Sequence, residues 1–515
     1  MAVLLLWVPP RWPRRFLLLW LAAGVTAIAL FHHSELGAWL PACAGLGLIA
    51  VAAYIGAGLS RPGTDARLAA VTYGLLAAGL LSAILGLLQY YGLAAPFVPW
   101  TNAPELGQAY GNLRQRNQFA TLISMALIAA LWLHGNGGRR TRLALIPATA
   151  LLLFALAAST SRTGLLQLLS ISGISTWLAW RERRPRQGDP AGTRLPPPWA
   201  LLALIPAYFF AAWLLPLLAG SGVEGMMQRL REGAPAAHSR LVLWGNVLEL
   251  IAQRPWTGWG WGELSFAHYS MLYPGPRFIE ILDNAHNLPL HLAVELGIPA
   301  ALLICSVFGW LVVAARPWRE TDPARLMVWG LLGVIVLHSL LEYPLWYGPF
   351  QLVFGLCLGF LWPSSPGKAD PTPEGRPVFA PSVAAALAVM AVVGYAAWDY
   401  TRISQLYFAR EDRLPAWRDD TLAKVQDSWL FANQVKFAEL ALTTVDRANA
   451  AEVHALAQRL LHFSPEPRVI VKLIDSARLL GLEAEAFEQA TRFRIAFPRE
   501  YARWLDHEPM DDPSE

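Results

Sequence analysis

The sequence predicts an all-α, polytopic membrane protein that ends in a separate helical segment. Three observations carry that prediction. The chain of 515 residues is 55% hydrophobic and only 15% charged, where a soluble protein of this length carries nearer a quarter. Apolar runs of about 18 or more residues recur along the first 400 positions, each long enough to cross a hydrocarbon core of roughly 30 Å. The last 115 residues contain no such run and hold many of the acids. That shift sets a boundary near Asp399–Arg402, dividing a membrane domain (1–400) from a helical domain (401–515).

Taken in order, eleven spans fall near 16–31, 37–58, 68–92, 118–134, 143–158, 163–180, 197–219, 286–314, 326–341, 348–362 and 381–399. The basic N-terminus (Arg11, Arg14, Arg15) with its apolar run reads as an uncleaved first span, because further spans follow closely and no small-residue cleavage site stands out. With the N-terminus inside, the inner segments hold 18 Arg and Lys and the outer loops ahead of the C-terminal domain hold 8, although the longest loop is outside. Positive residues stay on the inner side, so this asymmetry fixes the orientation. Long loops at about 93–117 and 220–285 then lie outside, and the odd span count places the C-terminal domain there too. The net charge of +4 reflects this topology and implies no nucleic-acid partner; the lipid bilayer is the partner that composition indicates. The inner stretch 181–198 (RERRPRQGDPAGTRLPPP) is a plain linker.

In the tail, Val453–Phe463 and Val469–Leu480 carry apolar residues at spacings of three and four. Pro465 and Pro467 separate them, Gly481 ends the second, and a third stretch runs over Ala484–Ile495. The pattern suits tetratricopeptide-like hairpins or a generic helical bundle. Cys43, Cys305 and Cys357 lie in apolar runs and read as small core hydrophobes, with no disulfide and no metal site implied.

The outer face collects five polar clusters: GNLRQRNQFA (111–120), STSRT (159–163), HSRLVLW (238–244), DNAHN (283–287) and HSLLEYPLWY (338–347). Ionisable groups at membrane depth are costly and usually have a partner or a function. Any one of them alone also fits an interfacial anchor or a snorkelling arginine; five on one face point to a site. Arg162 sits in a tight turn, and Arg240 opens a stretch whose Leu241, Trp244, Leu248 and Ile251 share a helical face, with Ser239 as its cap. Two arginines near the interface suit a diphosphate, since each guanidinium offers a planar fork to phosphate oxygens. His286 precedes Pro289 at a helix start, where the dipole favours neutral imidazole and leaves a basic nitrogen for a hydroxyl proton. Asn287, His291 and Glu295 are spaced by four on one face, and Glu295 reads as a buried partner of a basic group.

Two signals are set aside. The GWGWG stretch (258–262) has no strand or βα unit around it and so is no nucleotide cradle. Trp398–Tyr400 is similar to the WWDYG signature of N-linked oligosaccharyltransferases, but Ala397 and Thr401 replace its first Trp and its Gly. No Asp-x-Asp pair occurs on the outer loops, so no metal or other cofactor is expected, and charge stabilisation falls to the arginines.

These residues together resemble the O-antigen ligase (Wzy_C) superfamily, and within it the bacterial protein O-oligosaccharyltransferases of the PglL type. His286, Asn287 and Gly297 meet the family's His-Asn spacing, with Ala300 at a last position that is usually Gly, Thr or Tyr. Ser159–Arg162 matches the Ser-x-Ser-Arg turn, and Ser239, Arg240 and Trp244 match the Ser-Arg before a Trp. Gly111, Gln115 and Asn117 match the PglL-type N-terminal signature, as Glu342, Tyr343 and Pro344 match a later one. The resemblance implies metal-independent, inverting transfer of a glycan from undecaprenyl pyrophosphate in the periplasm, at a bacterial inner membrane. It implies His286 as base, Arg162 and Arg240 as pyrophosphate clamps, and Gln115 and Tyr343 as substrate contacts. Asn117, Asn287, Glu342 and Trp244 would lie at the same substrate site. The acceptor stays open among a pilin-like protein, lipid A-core and a growing polysaccharide. A lipid-linked sugar flippase, from a different class, would need paired broken helices and charges near mid-membrane in both halves, which the sequence does not offer.

Overall fold

The computed structural model describes residues 36–184, 194–220, 223, 225–232, 239–362 and 379–506. Every regular element among them is a helix. The span expected at 16–31 and positions 185–193 of the inner linker lie outside the described residues.

In chain order the membrane-side helices are α1 (Leu36–Leu59), α2 (Asp65–Tyr90), α3 (Arg116–Asn136), α4 (Arg139–Ala158), α5 (Arg162–Arg183) and α6 (Leu204–Ala219). The loop expected at 220–285 then supplies α7 (Arg240–Gln253) and α8 (Leu264–Ser270). After these come α9 (Leu288–Leu296), α10 (Ile298–Ala315), α11 (Pro323–Ser339), α12 (Gly348–Leu361) and α13 (Phe379–Ser404). Six helices among the described residues are long and apolar enough to cross a membrane, beginning at Pro41, Asp65, Arg116, Arg139, Pro198 and Ile298; α11 and α12 are apolar but shorter.

Apolar helices in lipid gain nothing from hiding leucine, so they pack where small residues let backbones approach. Gly355 and Gly359 of α12 lie against the backbone of α1 at Ile49 and Ala53, and Gly56 of α1 returns the contact at Leu356. A Cβ at any of the three would strike a carbonyl. Helix α3 is the centre of the bundle, buried over 72% of its most apolar window and packed by α2, α4, α5 and α11. Gly86 of α2 admits the ring of Phe119 from α3. Helix α10 stands at the opposite extreme, with only 6% of its window covered and Leu302, Leu303, Trp310 and Val313 all exposed. Of the cysteines, Cys357 is buried, while Cys43 is exposed and Cys305 half-buried; the last two lie on outer helix faces, not in the core.

The single run expected over 286–314 is in fact two helices, broken at Gly297 (φ 84°). The cause lies in the neighbouring glycine-rich strip. Trp259 N–H donates to Val294 O at 2.9 Å, Gly260 N–H to Glu295 O at 3.0 Å, and Ile298 N–H to Pro255 O at 2.8 Å. Side chains at Gly258 or Gly297 would collide with the facing backbone at Glu295 or Trp256. GWGWG is therefore a brace that divides the run and sets the entry angle of α9.

The tail begins with a lock. Asp399 is buried and accepts from Arg402 at 2.7 Å and from Ser428 at 2.9 Å, and Arg402 also reaches Asp427 at 2.8 Å. Helices α14 (Thr421–Val425), α15 (Ala432–Leu442), α16 (Ala450–Phe463), α17 (Pro467–Leu479), α18 (Glu483–Ala496) and α19 (Pro498–Leu505) follow. Their core is built on Val453, Leu460, Ile470, Leu473, Ile474 and Phe493, and Tyr269 of α8 inserts into it. Tyr269 Oη donates to Gln489 Oε1 at 3.0 Å.

Candidate active site

Four helix N-termini meet at one end of the bundle, each closed by a side-chain cap. Gln115 Oε1 accepts from Gln118 N–H at 2.7 Å, and Ser161 Oγ accepts from Gly164 N–H at 3.0 Å. Ser239 Oγ accepts from Val242 N–H at 3.3 Å, and Asn287 Oδ1 accepts from Leu290 N–H at 3.1 Å. Three of these helices, α3, α5 and α7, open on arginine: Arg116, Arg162 and Arg240. A cation at the positive end of a helix dipole opposes stability, typically by 0.3–1 kcal/mol. Placing three of them together makes a field suited to an anion.

Glu342, in the turn after α11, ties the helix starts together. Its Oε1 accepts from Asn117 Nδ2 at 2.9 Å and from the Arg240 guanidinium, and its Oε2 meets His286 Nδ1 at 2.7 Å. Asn117 is oriented in turn, because Ser161 Oγ donates to its Oδ1 at 2.6 Å. The Glu342 side chain is only 7% exposed, against 35% for Arg240 and 26% for His286. Burial by itself would raise its carboxyl, but hydrogen bonds and charge from His286 and Arg240 outweigh that and hold it below the ordinary carboxylate value.

This arrangement selects the His286 tautomer. A carboxylate only accepts, so Nδ1 carries a proton, and when the ring is neutral Nε2 presents a lone pair. Nε2 has no hydrogen-bond partner among the described residues. The sequence reading gave His286 the helix start itself, but Asn287 is the cap and His286 precedes it in a left-handed conformation (φ 49°). Such a backbone costs of order 1–3 kcal/mol and persists only where its surroundings enforce it. Here Asn284 Oδ1 accepts from His286 N–H at 3.0 Å, Trp244 Nε1 donates to Ala285 O at 3.1 Å, and Asn287 Nδ2 donates to Leu340 O at 2.9 Å. The ring edge of His286 meets Tyr343 at 5.0 Å.

Arg162 lies apart from this cluster. Its Nη2 donates to the backbone oxygen of Arg229 at 2.6 Å. Arg229 Nη1 in turn reaches Thr160 Oγ1 at 3.0 Å, and Arg116 Nη1 approaches the same hydroxyl at 3.4 Å. The two groups of residues are joined through Thr160–Ser161 and Asn117.

Of the nine predicted site residues, His286, Arg240, Asn117 and Glu342 are joined directly by hydrogen bonds. Tyr343 packs on His286, Trp244 and Asn287 hold its loop, Gln115 caps α3, and Arg162 stands one step away. The apolar face read for α7 divides. Ile251 is buried beside Leu243, Val247 and Leu250, whereas Leu241 and Leu248 are exposed. Glu295 does partner a basic group, His291, at 3.3 Å with both side chains 2% exposed. Sequence reasoning missed Arg229, which sits in a loop helix (Met226–Glu232) with no periodic signal. It also missed the layer beneath Asn117, where buried Thr121 meets His338 Nδ1 at 2.9 Å and Gln167 Nε2 at 2.9 Å.

The chain matches three family models: protein glycosylation ligase over residues 109–134, O-antigen ligase over 147–305, and virulence factor membrane-bound polymerase, C-terminal, over 326–509. A general O-oligosaccharyltransferase of Acinetobacter baylyi is 29% identical over 341 residues, covering 63% of this chain and 56% of that one. A ComP-specific O-oligosaccharyltransferase of the same organism is 23% identical over 255 residues, covering 50% and 44%. The chain thus spans about half the length of the curated relatives it matches. Over the matched stretches the chain is similar to the O-antigen ligases and to the protein glycosylation ligases.

Proposed function

We propose that this chain is a glycosyltransferase of the bacterial inner membrane whose active site faces the periplasm. It moves an oligosaccharide from undecaprenyl pyrophosphate to a hydroxyl, with Ser or Thr of a pilin-like protein as acceptor. The observation that carries this reading is the His286–Glu342 pair: a histidine whose Nδ1–H is held by a buried carboxylate, with Nε2 open, beside helix starts that carry arginine.

In the reaction the acceptor oxygen attacks the anomeric carbon and its proton passes to His286 Nε2. The bond from that carbon to the phosphate oxygen breaks, and its electrons leave on the polyprenyl pyrophosphate. Glu342 stabilises the imidazolium that forms, as a carboxylate behind a histidine base does. The charge gained by the leaving group falls to Arg162 and to the N–H groups of Arg240 that Glu342 does not engage. No metal is assigned a part. Tyr343 and Gln115 contact the substrate, while Asn117, Asn287 and Trp244 keep His286 and Arg240 in place.

The polymerase-type match over 326–509 supports a second reading, in which the acceptor hydroxyl belongs to another glycan. Expression in cells that make a lipid-linked glycan and carry a candidate pilin tests both. Sugar on the pilin supports the first, lengthened glycan chains the second, and sugar on lipid A-core would replace both with a ligase.

A further inference from the structure

We infer that the buried pair His291–Glu295 positions His286, by holding the Ala285 peptide that precedes it in its strained turn. The inference rests on the proposed reading of His286 as the base and adds two positioning residues to it.

The turn needs such a support. His286 has φ 49°, a conformation that persists only where neighbours impose it. Ala285, directly before it, is fully buried, and its N–H and its carbonyl are both engaged. The N–H donates to His291 Nδ1 at 3.5 Å, and the carbonyl accepts from Trp244 Nε1 at 3.1 Å. The chain is thereby held on two sides one residue ahead of the base.

The first of these contacts depends on where His291 carries its proton. Nδ1 accepts from Ala285 only as a lone pair, which places the ring proton on Nε2. Nε2 meets Glu295 Oε2 at 3.3 Å, and a carboxylate there favours that tautomer. Glu295 thus stands to His291 as Glu342 stands to His286, with the nitrogens exchanged: Glu342 faces Nδ1 and Glu295 faces Nε2. The pair is itself fixed. Trp346 and Trp261 meet the His291 ring edge-on at 4.8 and 6.0 Å, and Gly260 N–H donates to Glu295 O at 3.0 Å.

Stability explains the pair poorly. Both side chains are 2% exposed, and no arginine or lysine lies within ion-pair distance of Glu295 among the described residues. Taking such groups out of water is unfavourable, and apolar residues of similar volume often fill a buried site equally well or better. What apolar residues cannot offer is an acceptor for the Ala285 N–H. A small misplacement of a reacting group costs much of the rate, so the effect of the pair falls on His286.

The test replaces both members at once, which leaves no unpaired buried charge. His291→Phe with Glu295→Leu keeps a ring against Trp261 and Trp346 and removes only the acceptor and its partner. In membranes with matched protein levels, this double variant should lose roughly tenfold to a hundredfold in kcat for glycan transfer. Its KM for the lipid-linked donor should stay within about twofold, and its thermal stability should equal or exceed that of the wild type. Glu295→Gln keeps an oxygen to accept from Nε2–H, so it should retain transfer within about threefold. A readout independent of the chemistry is hydrogen exchange of the Ala285 amide in the purified full chain in nanodiscs. Exchange should quicken by roughly threefold to tenfold in the double variant and stay near wild type in Glu295→Gln. Unchanged exchange or unchanged kcat in the double variant overturns the inference, as does a loss in Glu295→Gln as large as in the double variant. A double variant that transfers normally while His286→Gln is inactive sinks this inference alone. If the wild type transfers no glycan, the transferase reading fails, and exchange at Ala285 still decides whether the pair holds the turn.

Discussion

His286 Nδ1 lies 2.7 Å from Glu342 Oε2, so the buried carboxylate fixes which imidazole nitrogen is basic. Glu342→Gln removes the charge while nearly preserving shape. Under the proposed mechanism it should lower kcat by roughly a hundredfold to ten-thousandfold with little change in KM for the lipid-linked donor. Steady-state transfer in membranes with matched protein levels separates this from a substrate-contact role, which would move KM instead.

Arg162→Lys and Arg240→Lys keep positive charge but lose the planar fork. Each should reduce transfer by roughly tenfold to a thousandfold, about 1.4–4 kcal/mol of transition-state stabilisation, and chelators should leave the wild type active. Full activity in both variants would reduce the arginines to interfacial anchors.

The pH dependence of stability has a named source in α8. His268 Nε2 donates to Phe278 O at 3.0 Å, and in the neutral ring Nδ1 accepts from Tyr273 Oη at 2.8 Å. Burial, with Arg277 nearby, lowers its pKa from 6.5 to about 3. Between those values the unfolded chain binds a proton that the folded chain refuses, so stability falls as pH drops below 6.5. The slope is at most about 1.4 kcal/mol per pH unit. Thermal unfolding of the wild type and His268→Gln between pH 7 and pH 4 checks this: the variant should be less stable at pH 7 and should lose less on acidification.

Orientation rests on the arginine asymmetry between loops. In a cysteine-free background, cysteines at Gly275 and Ala448 should react with a membrane-impermeant thiol reagent once the outer membrane is permeabilised, and one at Gly138 should not. Labelling only at Gly138 reverses the orientation and removes the periplasmic site.

Much of this was legible in the chain because the signals are local. Apolar runs gave the helices to within a few residues, Ser239 caps α7 as read, Pro465 separates α16 from α17 while Pro467, read as a separator, opens α17, and Gly481 turns between α17 and α18. What stayed hidden depends on contacts between distant segments. Within 286–314 only Gly297 and Pro299 hint at the break, and it is enforced by backbone hydrogen bonds with residues 255–260. Glu342 read as one more polar group near the substrate; its place at the hub appears only when α3, α7 and the His286 loop converge on it. Trp398–Tyr400 was set aside as a signature, and the fold gives Asp399 a different task, locking α13 to the tail.

The central claim is that His286 Nε2 takes the proton from the acceptor hydroxyl. The most direct measurement is glycan transfer by His286→Gln in membranes carrying wild-type levels of protein and donor. The side chain keeps hydrogen-bonding capacity but has no basic nitrogen, so transfer should fall by roughly a hundredfold to ten-thousandfold. The lipid-linked donor should still bind, since its diphosphate contacts are assigned to Arg162 and Arg240. Transfer by His286→Gln at near the wild-type rate would contradict the account and leave His286 as a structural residue ahead of the Asn287 cap.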